Sequence, residues 1–138
     1  MSERNIQTVQ TIYEAFGRGD VPAILALLDD DIAWEQDGPG FGLPWYQPRQ
    51  GIAEVPGFFG DLMGNVVLTV FEPRNFLAGG DQVAVVVRIA MEVKATGRAV
   101  EEDNEVHLWT FGADGKVTRF AHVVDKHAQW AAYRGVDA

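Results

Sequence analysis

The run DQVAVVVRIAMEVKATG constrains the fold more than any other stretch of this chain. Val83, Val85, Val87, Ile89, Met91 and Val93 are apolar, while Arg88, Glu92 and Lys94 point the other way. A repeat of two residues is that of a β-strand with one buried and one exposed face. Such a strand cannot stand alone. VVLTVFEPRNFLAG precedes it, with Pro73 marking a bend or bulge. RAVEEDNEVHLWTF and KVTRFAHVV follow it, and DIAWEQD is a short strand candidate nearer the start.

The sheet's apolar face needs a cover, and the first third of the chain supplies helices. Ile6, Val9, Ile12, Tyr13 and Phe16 recur at helical spacing between Ser2, a capping residue, and Gly17. Asp20 caps a second short helix, with Pro22 in its first turn and Ile24, Leu27 and Leu28 facing inward. Asp29, Asp30 and Asp31 suit a helix C-terminus poorly, because acids there oppose the dipole, so a solvated turn is expected. A third helix is expected over Ile52 to Met63, facing inward with Val55, Phe59, Leu62 and Met63, and a last one over Lys126 to Tyr133. Between them GPGFGLPWYQPRQG is too rich in Gly and Pro for regular structure. It reads as a loop or a lid, over residues 39–50, that carries Trp45 and Tyr46. Helices first and consecutive strands afterwards predict an α+β domain, with helices on one face of an antiparallel sheet.

Composition narrows the function. The 138 residues suit a single domain, residues 1–138, and 47% hydrophobic content supports a substantial core. The net charge of −9 argues against nucleic acid as a partner. There is no cysteine, so thiolate metal sites and cysteine nucleophiles are excluded. No apolar run is long enough for a membrane span and no signal peptide is expected, so the expected location is cytoplasmic.

Two of the three histidines lie on NEVHLWTFGADGKVTRFAHVVD, which reads as a hairpin turning at GADG. If Phe111 opposes Lys116, Glu105 faces His122 and His107 faces Phe120. A slip of two residues instead sets His107 against His122. Either register leaves Glu105, His107, Trp109 and Phe111 on one face with Thr118, Phe120, His122 and Val124. An apolar wall with a few converging polar groups suits a small-molecule pocket, and imidazoles pass protons near neutrality. Three roles remain open for this cluster. The histidines are core residues with satisfied hydrogen bonds, an acid–base set, or, with Glu105, metal ligands.

TIYEAFGRGDVPAILALLDDDIAWE, QPRQGIAEVPGFFGDL, GDQVAVVVRIAMEVKATGR and HLWTFGADGKVTRFAHVVD follow one another as in SnoaL-like proteins. The chain thus resembles that family of the nuclear transport factor two-like superfamily, which includes ketosteroid isomerase. The resemblance implies a strongly curved antiparallel sheet forming a cone, with N-terminal helices packed on its concave face. It also implies a deep pocket at the open end and a homodimer formed through the outer sheet face. The catalytic tyrosine of the steroid isomerases corresponds to Ile12, with Tyr13 about 100° further round the helix. Their carboxylate base corresponds to Gln36, beside Asp37, and their protonated aspartate falls near His107. The acid/base aspartate of the polyketide cyclases corresponds to His122, and those cyclases carry a histidine close to the position of His107. The Asp–Arg–Asp set of the epoxide hydrolases has no counterpart, since Arg88 lies on the face opposite Met91.

The expected function is a pocket protein of this type, working without cofactor or metal as an isomerase- or cyclase-like acid/base enzyme on a small apolar, oxygenated molecule. His122 would be the acid/base, His107 its partner and Glu105 the residue that orients an imidazole. Tyr13, Trp34, Gln36, Trp45, Met91, Trp109 and Phe120 would touch the substrate. The sequence leaves open whether Asp37 or Asp125 reaches the pocket. The alternative is a non-catalytic ligand-binding or dimerisation module.

Overall fold

A computed structural model describes residues 2–36, 38 and 40–137. Helix α1 spans Ser2–Gly17 and buries Asn5, Val9, Ile12 and Ala15 along one stripe. Helix α2 is short, Val21–Leu25, with the Asp20 carboxylate accepting from the Ala23 amide at 3.2 Å and Pro22 in the first turn. Strand β1 follows over Leu28–Trp34. The three aspartates expected in a turn are therefore strand residues, and Leu28, expected in the helix, opens the strand. Asp30 and Asp31 stay exposed while Leu28, Ile32 and Trp34 are buried. A short helical turn, Pro44–Tyr46, and the two-residue strand β2, Arg49–Gln50, lead to α3, Val55–Asn65. Phe58, rather than Met63, lies on the buried face of α3, and Met63 is exposed.

Strands β3 (Val66–Gly79), β4 (Gln82–Val93), β5 (Ala99–Phe111) and β6 (Val117–Val123) then run antiparallel, and α4, Lys126–Arg134, closes the described chain. The sheet is open and six-stranded, in the order β2-β1-β6-β5-β4-β3. It is mixed, because β1 runs parallel to β6. The bend expected at Pro73 is a register shift between Pro73 and Asn75. All six alternating residues of β4, Val83 to Val93, are buried, and the helices cover that face. Among the described residues, no helix is long and apolar enough to cross a membrane.

Register decides where the polar groups meet. His107 pairs with His122 across β5 and β6, and with Val85 on β4. One row along, Val83, Trp109, Phe120 and Trp34 form a continuous line across four strands. Of the two hairpin registers compatible with the sequence, the one with facing histidines is adopted, with an irregularity between Thr110 and Phe111 near the turn.

Candidate active site

A cavity lies between the inner sheet face and helices α1 and α3, with walls of Tyr13, Phe16, Trp34, Phe58, Phe71, Met91, Trp109 and Phe120. Its cavity volume is about 60 Å³. That is well below the range usual for organic ligands, so a ring-sized occupant enters only as the aromatic side chains of the wall move aside. Glu105, His107 and His122 stand on its floor. The two imidazole centres are 4.7 Å apart and nearly perpendicular.

A hydrogen-bonded chain runs through the floor. Trp109 Nε1 donates to the Tyr13 hydroxyl at 3.2 Å, that hydroxyl lies 2.7 Å from His107 Nδ1, and His107 Nε2 lies 2.6 Å from Glu105 Oε2. The first link fixes the direction of the rest. The Tyr13 oxygen already accepts from the indole, so its own proton goes to His107 Nδ1. Nε2 then carries the imidazole proton and donates it to an ionised Glu105. Burial pushes the Tyr13 hydroxyl far above the ordinary tyrosine range, so it keeps its proton. Burial also holds the His107 imidazole below its ordinary value, which keeps it neutral. Burial alone would raise Glu105, but the hydrogen bond from His107 and the pull of both histidines outweigh it, and the carboxyl sits below its usual value.

His122 is held by a different group. Its Nδ1 and its backbone amide, the latter at 3.1 Å, both bond to Glu35 Oε1. Burial pushes this imidazole down, but the charge and hydrogen bond of Glu35 outweigh it, so His122 sits above its ordinary value. With Nδ1–H taken by Glu35, Nε2 is the ring nitrogen left for a ligand. The floor thus combines a charged carboxylate, a neutral imidazole that orients it and a second imidazole whose hold on its proton is strengthened by Glu35.

Three buried atoms of the lining have no hydrogen-bond partner among the described residues, namely Glu105 Oε1, Trp34 Nε1 and Gln129 Nε2. Buried polar groups are almost always paired, so such orphans mark places where a bound molecule completes the bonding. Glu105, His107 and His122 also place potential metal-ligand atoms within 4.8 Å of one another. Both nitrogens of His107 are already engaged, so a metal using all three residues would have to break its bond to Tyr13 or its bond to Glu105. The hydrogen-bonded arrangement is the one these side chains form.

Of the residues singled out in the sequence, Glu105, His107, His122, Tyr13, Trp34, Trp45, Met91, Trp109 and Phe120 all line the cavity. Gln36 does not. It is exposed, and its amide donates to the Arg49 carbonyl at 2.8 Å and to Gln50 at 3.2 Å. The cause is Glu35, whose left-handed backbone (φ 58°) breaks strand alternation directly after Trp34. Glu35 is therefore buried and Gln36 is turned outward. Tyr13 enters the cavity together with Ile12, because its long side chain spans the rotation that separates them. Asp125 is exposed and caps α4 through the Ala128 amide. Asp37 and Pro39 lie outside the described residues, and of the loop expected as a lid the described part puts Trp45 and Tyr46 into the cavity wall. Glu35, Phe58 and Gln129 complete the site without having been singled out. Gln129 accepts from Trp45 Nε1 at 2.9 Å and ties this loop to α4.

The SnoaL-like domain pattern matches residues 9–120. The chain belongs to this SnoaL-like family. Solved structures agree with the assignment. An NTF2-like protein from Burkholderia xenovorans LB400 is 29% identical with a TM-score of 0.84, over 96% of this chain and 98% of that one. An NTF2-like protein of unknown function from Burkholderia pseudomallei K96243 is 27% identical with a TM-score of 0.82, over the same shares. TerC, crystallised with polyporic acid, is 26% identical with a TM-score of 0.76, over 95% of this chain and 98% of its own. No curated protein matches the chain. In this SnoaL-like domain the Glu105–His107–Tyr13 chain and the Glu35–His122 pair are the polar groups that distinguish the cavity floor from its aromatic walls.

Proposed function

We propose that this SnoaL-like domain is an isomerase- or cyclase-like enzyme that moves protons on a small, largely apolar ketone, using only its own side chains. The observation that carries the reading is Glu105, a buried, ionised carboxylate with one oxygen held by His107 and the other unpaired. Unpaired and fixed in direction, Oε1 is the acceptor placed to take a proton from a carbon acid. The proton leaves the carbon next to a carbonyl and goes to Glu105 Oε1. The C–H electron pair moves into the carbonyl, whose oxygen takes a hydrogen bond or the proton from His122 Nε2. Returning the proton at another carbon isomerises the molecule, and attack of the enol on a second carbonyl closes a ring. His107 is a positioning residue here, and Trp34 Nε1 offers a donor to a second substrate oxygen. The crystallisation of TerC with polyporic acid supports an organic molecule as occupant.

The test uses 2-tetralone, a bicyclic ketone with acidic α-hydrogens, in deuterated buffer. Wild type should accelerate α-hydrogen exchange seen by NMR, and Glu105→Gln should lower that rate about 10²–10⁴-fold. His122→Asn should lower it by a similar factor. A ketone that binds, by thermal shift, yet exchanges only at the buffer rate would leave a binding module in place of an enzyme.

A further inference from the structure

Behind the aromatic wall of the cavity lies a second, separate space. A groove on the outside, between the end of α1, α2, α3 and β3, shares Phe16, Ile24, Phe59, Leu68 and Phe71 with the inner cavity. Four of these five are only half-buried, whereas Glu105, His107, Trp109 and Phe120 at the far end are buried. Phe16 sits between the other two rings of the shared wall, 5.9 Å from Phe59 and 5.1 Å from Phe71. Beyond them the groove is edged by Gly17, Gly19 and Asp20 on one side and by the exposed Met63 on the other. Polarity therefore falls along one line, from an ionised floor, through a ring-lined chamber, to an apolar groove in contact with solvent.

We infer that the natural substrate is a two-part molecule, a ketone-bearing ring system with an apolar chain on the side away from its reacting oxygen, and that the outer groove binds this chain. The inference rests on the acid–base reading for the orientation of the head. Its occupant follows from adjacency, since only one apolar wall separates the two spaces and four of its five side chains are half-buried. A head held at Glu105 and His122 presents its opposite edge to Phe16, Phe59 and Phe71. A substituent there reaches the groove by displacing those side chains and Leu68, and the groove beyond them is lined by Met63. A chain in this groove buries apolar surface that a bare ring leaves exposed, so the groove sets specificity while the floor performs the chemistry.

The experiment compares 2-tetralone with its 6-butyl and 6-hexyl derivatives by calorimetric titration of the intact domain. Affinity should rise about two- to fourfold for each methylene that enters the groove. Met63→Lys, a change at an exposed position, should lower the ratio of hexyl to parent affinity at least tenfold. Equal affinities along the series, or an unchanged ratio in Met63→Lys, would overturn the inference. The two readings fail separately. Parent binding without accelerated α-exchange removes the acid–base role and leaves the chain-length slope to decide the groove. Exchange without a slope removes the groove and leaves the chemistry. If no member of the series binds, both fall.

Discussion

Glu35→Gln removes one charge from the site and almost no volume, so its consequences can be worked from the geometry. The Glu35 and His122 side chains are only 3% and 10% exposed, and the carboxylate oxygen takes both Nδ1 and the backbone amide of His122. Because His122 titrates above its ordinary value, the pair's stabilisation is fully present below the unfolded imidazole's value, about 6.5. It is lost as pH rises through the raised folded value. Breaking a buried pair costs about 3–5 kcal/mol when the remaining charge has nowhere to go. In the variant His122 can shed its proton instead, so the expected loss at pH 5 lies at the lower end, about 3 kcal/mol. As pH rises toward 9 wild type itself sheds the charged pair, and the difference falls toward that of one hydrogen bond, about 1 kcal/mol. With a urea dependence of about 1.5 kcal/mol per molar, the midpoint should drop by about 2 M at pH 5 and about 0.7 M at pH 9. Urea unfolding followed by tryptophan fluorescence measures both. A midpoint difference that is the same at the two pH values, or larger at pH 9, would refute the charged pair.

Three further outcomes are expected. Tyr13→Phe leaves the buried Trp109 Nε1 and His107 Nδ1 without partners and should cost about 1–3 kcal/mol in chemical denaturation, with a shifted pH dependence of α-exchange. Gly40→Ala would set a methyl carbon 2.5 Å from the Tyr46 carbonyl oxygen, so the loop must move; a melting temperature within a degree of wild type would contradict that geometry. We also propose a homodimer through the outer sheet face, where Val67, Leu77 and Val123 are 47%, 53% and 57% exposed. Leu77→Lys with Val123→Lys should give a monomer by light scattering, and a monomeric wild type at micromolar concentration would end the proposal.

The fold was legible where local pattern and burial coincide. All of β4 follows from its alternation, and α1 follows from Val9, Ile12 and their neighbours, because each element buries one regular face. Strand β1 was less legible. Its parallel pairing with β6 joins residues some 90 positions apart, and the register shifts between Leu28 and Ala33. Its buried positions, Leu28, Ile32 and Trp34, therefore do not alternate strictly, and three aspartates between them look like a turn.

The same distinction explains the site. A slip of two residues along the hairpin changes which side chains face each other but not which face they occupy. The shared wall of Glu105, His107, Trp109, Phe120 and His122 therefore follows from parity alone, while the His107–His122 pairing depends on an irregularity beside Phe111 that no residue type announces. Glu35 was hidden for the opposite reason, because parity itself fails there. Alternation from Ile32 through Trp34 aims Gln36 inward, yet a left-handed backbone at Glu35 places two consecutive side chains in the interior. Non-glycine residues rarely adopt that conformation, and Glu35 is held in it by two side-chain hydrogen bonds to His122 and by its own amide donating to the Phe120 carbonyl at 2.9 Å. The residue that charges His122 is thus one whose position depends on His122, a mutual dependence that no reading of either residue alone reveals.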